Sequence, residues 1–102
     1  MITAVVRFPL AEGTTRNDAR TMFEKSAPNY RGVPGLIRKY YLYGDDRTGG
    51  GVYLWEDEAA ARTFMQQRVA PMIRDKFRVE PTIEFFDSPV IVENVAPHTV
   101  LA

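Results

Sequence analysis

Two arginines, one glutamate and a run of aromatic residues carry most of the chemistry that this sequence offers. Arg7 and Arg38 sit in segments with strand-like alternation. Either would stabilise a phenolate or an enolate through a charge-assisted hydrogen bond, although such arginines also serve as salt-bridge residues at a surface or an interface. Glu84 stands on an otherwise apolar strand. A raised pKa there would suit it to general-base work; the plainer reading pairs it with an arginine across the sheet. Tyr53 and Trp55 share one face of a short apolar segment, and Tyr41 and Tyr43 share one face of another. Tyr and Trp rings make flat apolar walls with one polar tip each. Phe64 follows within a helical pattern that begins just after Trp55, so Trp55, Tyr53, Tyr41 and Phe64 are the candidate substrate-binding residues. Aromatics on strands also serve as plain core or interface, and that reading stands beside the pocket.

Other chemistries are excluded by what is missing. There is no Cys and a single His, His98, near the C-terminal end. Cys–His and Ser–His nucleophile arrangements therefore have no centrally placed base, and no His cluster is available to hold a transition metal. Gly49-Gly50-Gly51 is the only glycine cluster. It lies between two strands rather than before a helix, so it reads as a hairpin and not as a phosphate cradle. The expectation is that no metal, nucleotide or other cofactor is required. Thirteen basic residues oppose thirteen acidic ones, which argues against a nucleic acid or an anionic membrane as partner. No apolar stretch approaches the ~20 residues of a membrane helix. The start, Met1 to Arg7, lacks the basic lead and long apolar run of a signal peptide. The cytoplasm is the default compartment.

The elements that must position these residues follow from periodicity. The 102 residues, 45% hydrophobic and 25% charged, suit one domain with a modest core. Ile2 to Phe8 alternates as a first strand, closed by Pro9. Thr14 or Thr15 caps a helix whose apolar stripe is Ala19, Met22, Phe23 and Ala27. An irregular turn around Pro28 and the Gly32–Gly35 turn lead into a second strand from Leu36 to Tyr43. Gly44 to Gly50 reads as the hairpin loop and Gly51 to Trp55 as the third strand. Asp57 caps a second helix that runs to about Arg68, and Pro71 breaks it and starts a short further one. Thr82 to Asp87 is the fourth strand, completing a domain over residues 1–87; residues 88–102 form a tail. The order strand, helix, strand, strand, helix, strand predicts a ferredoxin-like α+β fold: a four-stranded antiparallel sheet with the helices on one face.

Two helices cover one face of a sheet, yet strands 1, 3 and 4 carry apolar residues on both. A solvated face alternates to polar. A second copy of the sheet, related by a twofold, would cover the other face and make a homodimer; the alternative is a tail folding back over its own sheet.

The run Arg31-Gly32-Val33-Pro34-Gly35-Leu36, followed by a glycine-rich hairpin into Gly51-Val52-Tyr53-Leu54-Trp55-Glu56-Asp57, resembles the dimeric α+β barrel superfamily. It is most similar to the small mono-oxygenases related to the antibiotic-biosynthesis type. The resemblance spans about residues 1–87. It implies a homodimer with its sheets face to face and a pocket in each subunit between helices and sheet, with Trp55 on the helix side. It further implies cofactor-independent oxidation of a small aromatic or polyketide-like substrate, or a non-catalytic binding or scaffold role for the same pocket. Haem-binding relatives commonly use a His on the second helix, and this chain has none there.

Overall fold

The computed structural model describes residues 1–94. It contains β1 (Ile2–Pro9), α1 (Arg16–Ser26), a 3₁₀ turn (Ala27–Tyr30), β2 (Leu36–Tyr43), β3 (Thr48–Trp55), α2 (Glu58–Phe64), a π turn (Met65–Val69), α3 (Ala70–Phe77) and β4 (Thr82–Asp87). The sheet has the order β2-β3-β1-β4 with every pair antiparallel. This is the ferredoxin-like arrangement read from the sequence.

The register decides which side chains meet. Ala4 pairs with Tyr53 and Phe85, and Lys39 pairs with Tyr53. Alternation then sends Ala4, Val6 and Phe8 to the helix side with Tyr53 and Trp55, where they join Ala19, Ala61, Met65, Val69 and Ile73 in the core. Val5, Arg7, Arg38, Tyr40, Val52, Leu54, Glu84 and Phe86 fall on the opposite, outer face. Ile37 forms a bulge between Leu36 and Arg38, which restores the inward direction at Lys39.

Both main helices start on side-chain caps. Thr15 and Asp18 form a reciprocal capping box, and the Asp57 carboxylate accepts from the Ala60 amide at 2.8 Å.

Two boundaries differ from the sequence reading. β3 starts at Thr48, so Gly49, Gly50 and Gly51 are strand and the hairpin turn is confined to Gly44–Arg47, closed by Arg47 N–H donating to Gly44 C=O at 2.9 Å. The glycines are there because the strand passes its neighbours too closely for side chains: a Cβ on Gly50 would lie 1.8 Å from the Val6 carbonyl oxygen. Nor does Pro71 break the helical run. A π turn precedes it, in which the Ala70 amide donates to the Met65 carbonyl. The wider turn relieves the clash that a proline ring makes with the preceding turn of an α-helix.

The tail has described structure only to Asn94; His98 lies outside the described residues. Its first part crosses the outer face at one end of the sheet. The Ser88 amide donates to Met1 C=O at 2.9 Å, the Ser88 and Thr3 hydroxyls are hydrogen-bonded, and Glu93 is ion-paired with Arg38 on β2.

Candidate active site around Lys39

The helix-side face of β2 alternates Lys39, Tyr41, Tyr43, and Lys39 lies beside Tyr53 of β3. The Lys39 amine sits among three phenol rings, 3.7 Å from the ring centre of Tyr30, 4.2 Å from Tyr41 and 4.1 Å from Tyr53. It also donates to the Tyr53 hydroxyl at 2.5 Å, and the Tyr53 ring meets Tyr30 edge-on with 5.8 Å between centres. Tyr41 is anchored from behind. Its hydroxyl lies 2.6 Å from Ser26 Oγ, and its ring stacks on Phe23 with 4.6 Å between centres. The 3₁₀ turn after α1 is what brings Tyr30 over the strand pair.

This group lines a cavity of about 40 Å³ between the sheet and helices α1 and α3, with Val6, Phe8, Met22, Ile73 and Phe77 as apolar wall and Lys76 at its edge. That volume holds a few waters, and Met22 and Met72 add two flexible side chains to its wall. Gly51 makes the space: a Cβ there would come within 3.3 Å of both the Lys39 amine and the Tyr53 ring.

The electrostatics are unusual for a lysine. Burial lowers the Lys39 pKa to about 7. Three ring faces favour the ammonium form and oppose any further fall. No carboxylate is paired with Lys39 among the described residues. Burial raises the pKa of Tyr53, Tyr30 and Tyr41, so the phenols stay neutral around an amine that exchanges a proton near neutrality.

The residues singled out from the sequence fall into three groups. Tyr41 and Tyr53 line this cavity. Trp55 and Phe64 stand behind its wall. Trp55 is fully buried, stacked on Tyr53 with 6.4 Å between centres and tilted against Phe64 at 5.5 Å, with its indole N–H unpartnered among the described residues. Arg7, Glu84 and Arg38 lie on the outer face, away from the cavity. Arg7 is ion-paired with Glu84 and Arg38 with Glu93, all about half exposed. Lys39 and Tyr30 escaped the sequence reading. The signal was present, since Lys39 shares the alternation of Tyr41 and Tyr43, but Tyr30 is delivered by a turn whose geometry no periodicity encodes.

The sequence matches no protein-family model and no curated protein. Solved structures do match. A protein of unknown function from Nitrosomonas europaea superposes with a TM-score of 0.71 at 15% identity, covering 93% of this chain and 95% of that one. SnoaB, a cofactor-independent oxygenase from Streptomyces nogalater, gives 0.65 at 18% identity, covering 91% and 97%. The ActVA-Orf6 monooxygenase of Streptomyces coelicolor, solved with the ligand nanaomycin D, gives 0.66 at 20%, covering 92% of each chain. This chain has the fold of the antibiotic-biosynthesis monooxygenases. Within that fold, the Lys39 cavity occupies the space between helices and sheet.

Proposed function

We propose that this protein is a cofactor-independent monooxygenase for a small phenolic or polyketide-like aromatic, working as a homodimer. The observation that carries the reading is the Lys39 amine, without a carboxylate partner among the described residues, held between three neutral phenols at a cavity wall. The fold shared with SnoaB and the ActVA-Orf6 monooxygenase supports it.

The neutral amine takes a proton from the substrate's phenol or from the acidic carbon beside its ring, and Tyr53 holds the amine in place for that transfer. The ammonium so formed stabilises the resulting anion in a setting that excludes water. The electron-rich anion passes an electron to O2, and the radical pair joins to a hydroperoxide. For an anthrone, loss of water then leaves a quinone carbonyl: one oxygen atom stays in the product and the other leaves in water.

The test is oxygen uptake with anthrone and 1,4-dihydroxynaphthalene, in chelator, against the uncatalysed rate. Turnover is expected in the wild type, and Lys39→Met should lower it by about 100-fold, the usual scale for a lost general base. A wild-type rate no greater than background would reject the oxygenase.

A second reading, a binding protein without chemistry, is favoured by one observation. Trp55 and Met65 are fully buried and fill the space behind Tyr53, leaving only about 40 Å³. Calorimetric binding of the same phenols under nitrogen, with no oxygen uptake in air, would establish that role.

A further inference from the structure

We propose that Lys39 is also a covalent amine site, which condenses with an aldehyde or ketone group reaching into the tyrosine-lined cavity to form a Schiff base. This inference uses the same cavity as the proposed oxygenase but none of its oxygen chemistry.

The geometry argues for a carbonyl partner. Lys39 has no carboxylate to hold it as a salt-bridged ammonium among the described residues. Its polar contact is a phenol hydroxyl, and its nitrogen is wrapped by three ring faces at 3.7–4.2 Å. Such a cage stabilises a cationic nitrogen whatever its other substituent. It therefore favours a protonated imine as it favours the ammonium, while the surrounding apolar wall activates the amine by desolvation. The small cavity takes a short carbonyl compound, or the carbonyl end of a longer one entering beside Met22 and Met72.

The step balances without an oxidant or reductant. The amine lone pair attacks the carbonyl carbon, the C=O pair moves to oxygen, and a proton passes from nitrogen to that oxygen. Tyr53, whose hydroxyl lies in hydrogen-bond contact with the amine, is placed to pass a proton to the hydroxyl as it leaves and to take the second proton from nitrogen, so it ends neutral as it began. The products are a C=N bond and one water.

The groups that face Lys39 are Tyr30 from the 3₁₀ turn, Tyr41 on β2 and Tyr53 on β3; Lys76 on α3 lines the cavity edge. The three tyrosines carry raised pKa values, so below pH 9 they add no negative charge to the cage. The lowered pKa of Lys39 then fixes where reactivity begins.

The sequence makes the experiment clean, because its only lysines are Lys25, Lys39 and Lys76. The full chain is treated under nitrogen with propanal and sodium cyanoborohydride between pH 6 and pH 9, and propylated sites are found by peptide mapping, with the Met1 amine scored separately. At pH 7, Lys39 should be labelled at least roughly tenfold faster than either exposed lysine, since a desolvated lysine supplies far more neutral amine. Its rate should level off above pH 7. Lys39→Arg keeps a cation in the cage and should abolish the fast site. Tyr53→Phe should slow labelling at Lys39 several-fold without redirecting it. Labelling of Lys39 no faster than Lys25 and Lys76, or a rate that rises with pH in parallel with theirs, would overturn the proposal. An unchanged rate in Tyr53→Phe would remove Tyr53 from the step. Because the assay excludes oxygen, failure of the oxygenase reading leaves its outcome untouched.

Discussion

At the level of single residues, Lys39 links stability to pH in a direction that can be worked out. Its pKa is about 7 in the folded chain against an ordinary 10.5. Between those values the unfolded chain binds the proton and the folded chain does not, so this group makes stability rise with pH across that window. Below pH 7 the folded state carries the full cost of a buried ammonium; above 10.5 the cost is absent. Lys39→Met, similar in length and uncharged, should therefore melt several degrees higher than wild type at pH 6, and the gap should shrink steadily toward pH 10. Calorimetric melting of both proteins across that range checks it; a constant difference would mean that Lys39 is not buried as an amine. The same residue shows what the sequence made legible. Alternation sets Tyr53 with Trp55 and sets Arg38 opposite Tyr41, but it does not say which face meets the helices; the structure turns Tyr41 and Tyr53 to the helices and Arg7, Arg38 and Glu84 to the outer face, where each is ion-paired. A search for catalytic charge among isolated Arg and Glu residues therefore led away from the cavity. The charge that lies at the cavity was hidden as a lysine in a tyrosine-rich strand. Its pKa is a property of ring faces contributed by β2, β3 and the turn after α1, which no single stretch of sequence contains.

Among the elements, strand β3 is where glycine is used for space. The Gly49–Gly51 cluster looked like a loop because glycine is depleted in strands on average, yet here the missing side chains are what allow the strand to form. A Cβ on Gly50, at φ +153°, would meet the Val6 carbonyl oxygen at 1.8 Å, and backbone cannot move aside without breaking the β1–β3 ladder at the Arg7–Gly50 pair. Gly50→Ala should cost more than about 3 kcal/mol, at the severe end of single substitutions. Gly13, at φ +85° with nothing near its Cβ position, is the matched control: alanine there meets backbone strain alone, at roughly 1–2 kcal/mol. Urea midpoints of the two variants separate close packing from strain, and equal losses would refute the distinction. The π turn before Pro71 belongs at the same scale. The sequence announces that a proline must disturb the helix, but whether the chain breaks or widens depends on keeping Met65, Val69 and Ile73 all buried, which is decided by the core they meet.

For the whole molecule, the open question is what covers the outer face. Val5, Leu42, Val52 and Leu54 are partly buried there, while Tyr40 and Phe86 are 54% and 49% exposed. The described part of the tail, residues 88–94, lies over one end of this face, pinned by Ser88 on Thr3 and by Glu93 on Arg38, and it carries Val90 and Val92 outward at 79% and 77% exposure. Among the described residues, exposed apolar side chains stand beside the Arg7–Glu84 and Arg38–Glu93 ion pairs, a mixture that suits contact with a partner. A second sheet packed face to face by a twofold would bury Val5 and Val52 of the central strands at its middle and Tyr40 and Phe86 toward its two edges, and Val90 and Val92 would then lie where a partner's surface passes. We expect sedimentation at micromolar concentration to give a dimer. Phe86→Glu places a charge on the β4 side of that contact and should convert the protein to monomer without unfolding it, because Phe86 is already half exposed in the single chain. Deletion from Ser88 onward tests the tail separately. If it clamps the partner, the truncated chain should dimerise more weakly and melt lower at low concentration. A stable, folded wild-type monomer at micromolar concentration would dismiss the twofold. A dimer that withstands Phe86→Glu would place the interface elsewhere on the chain.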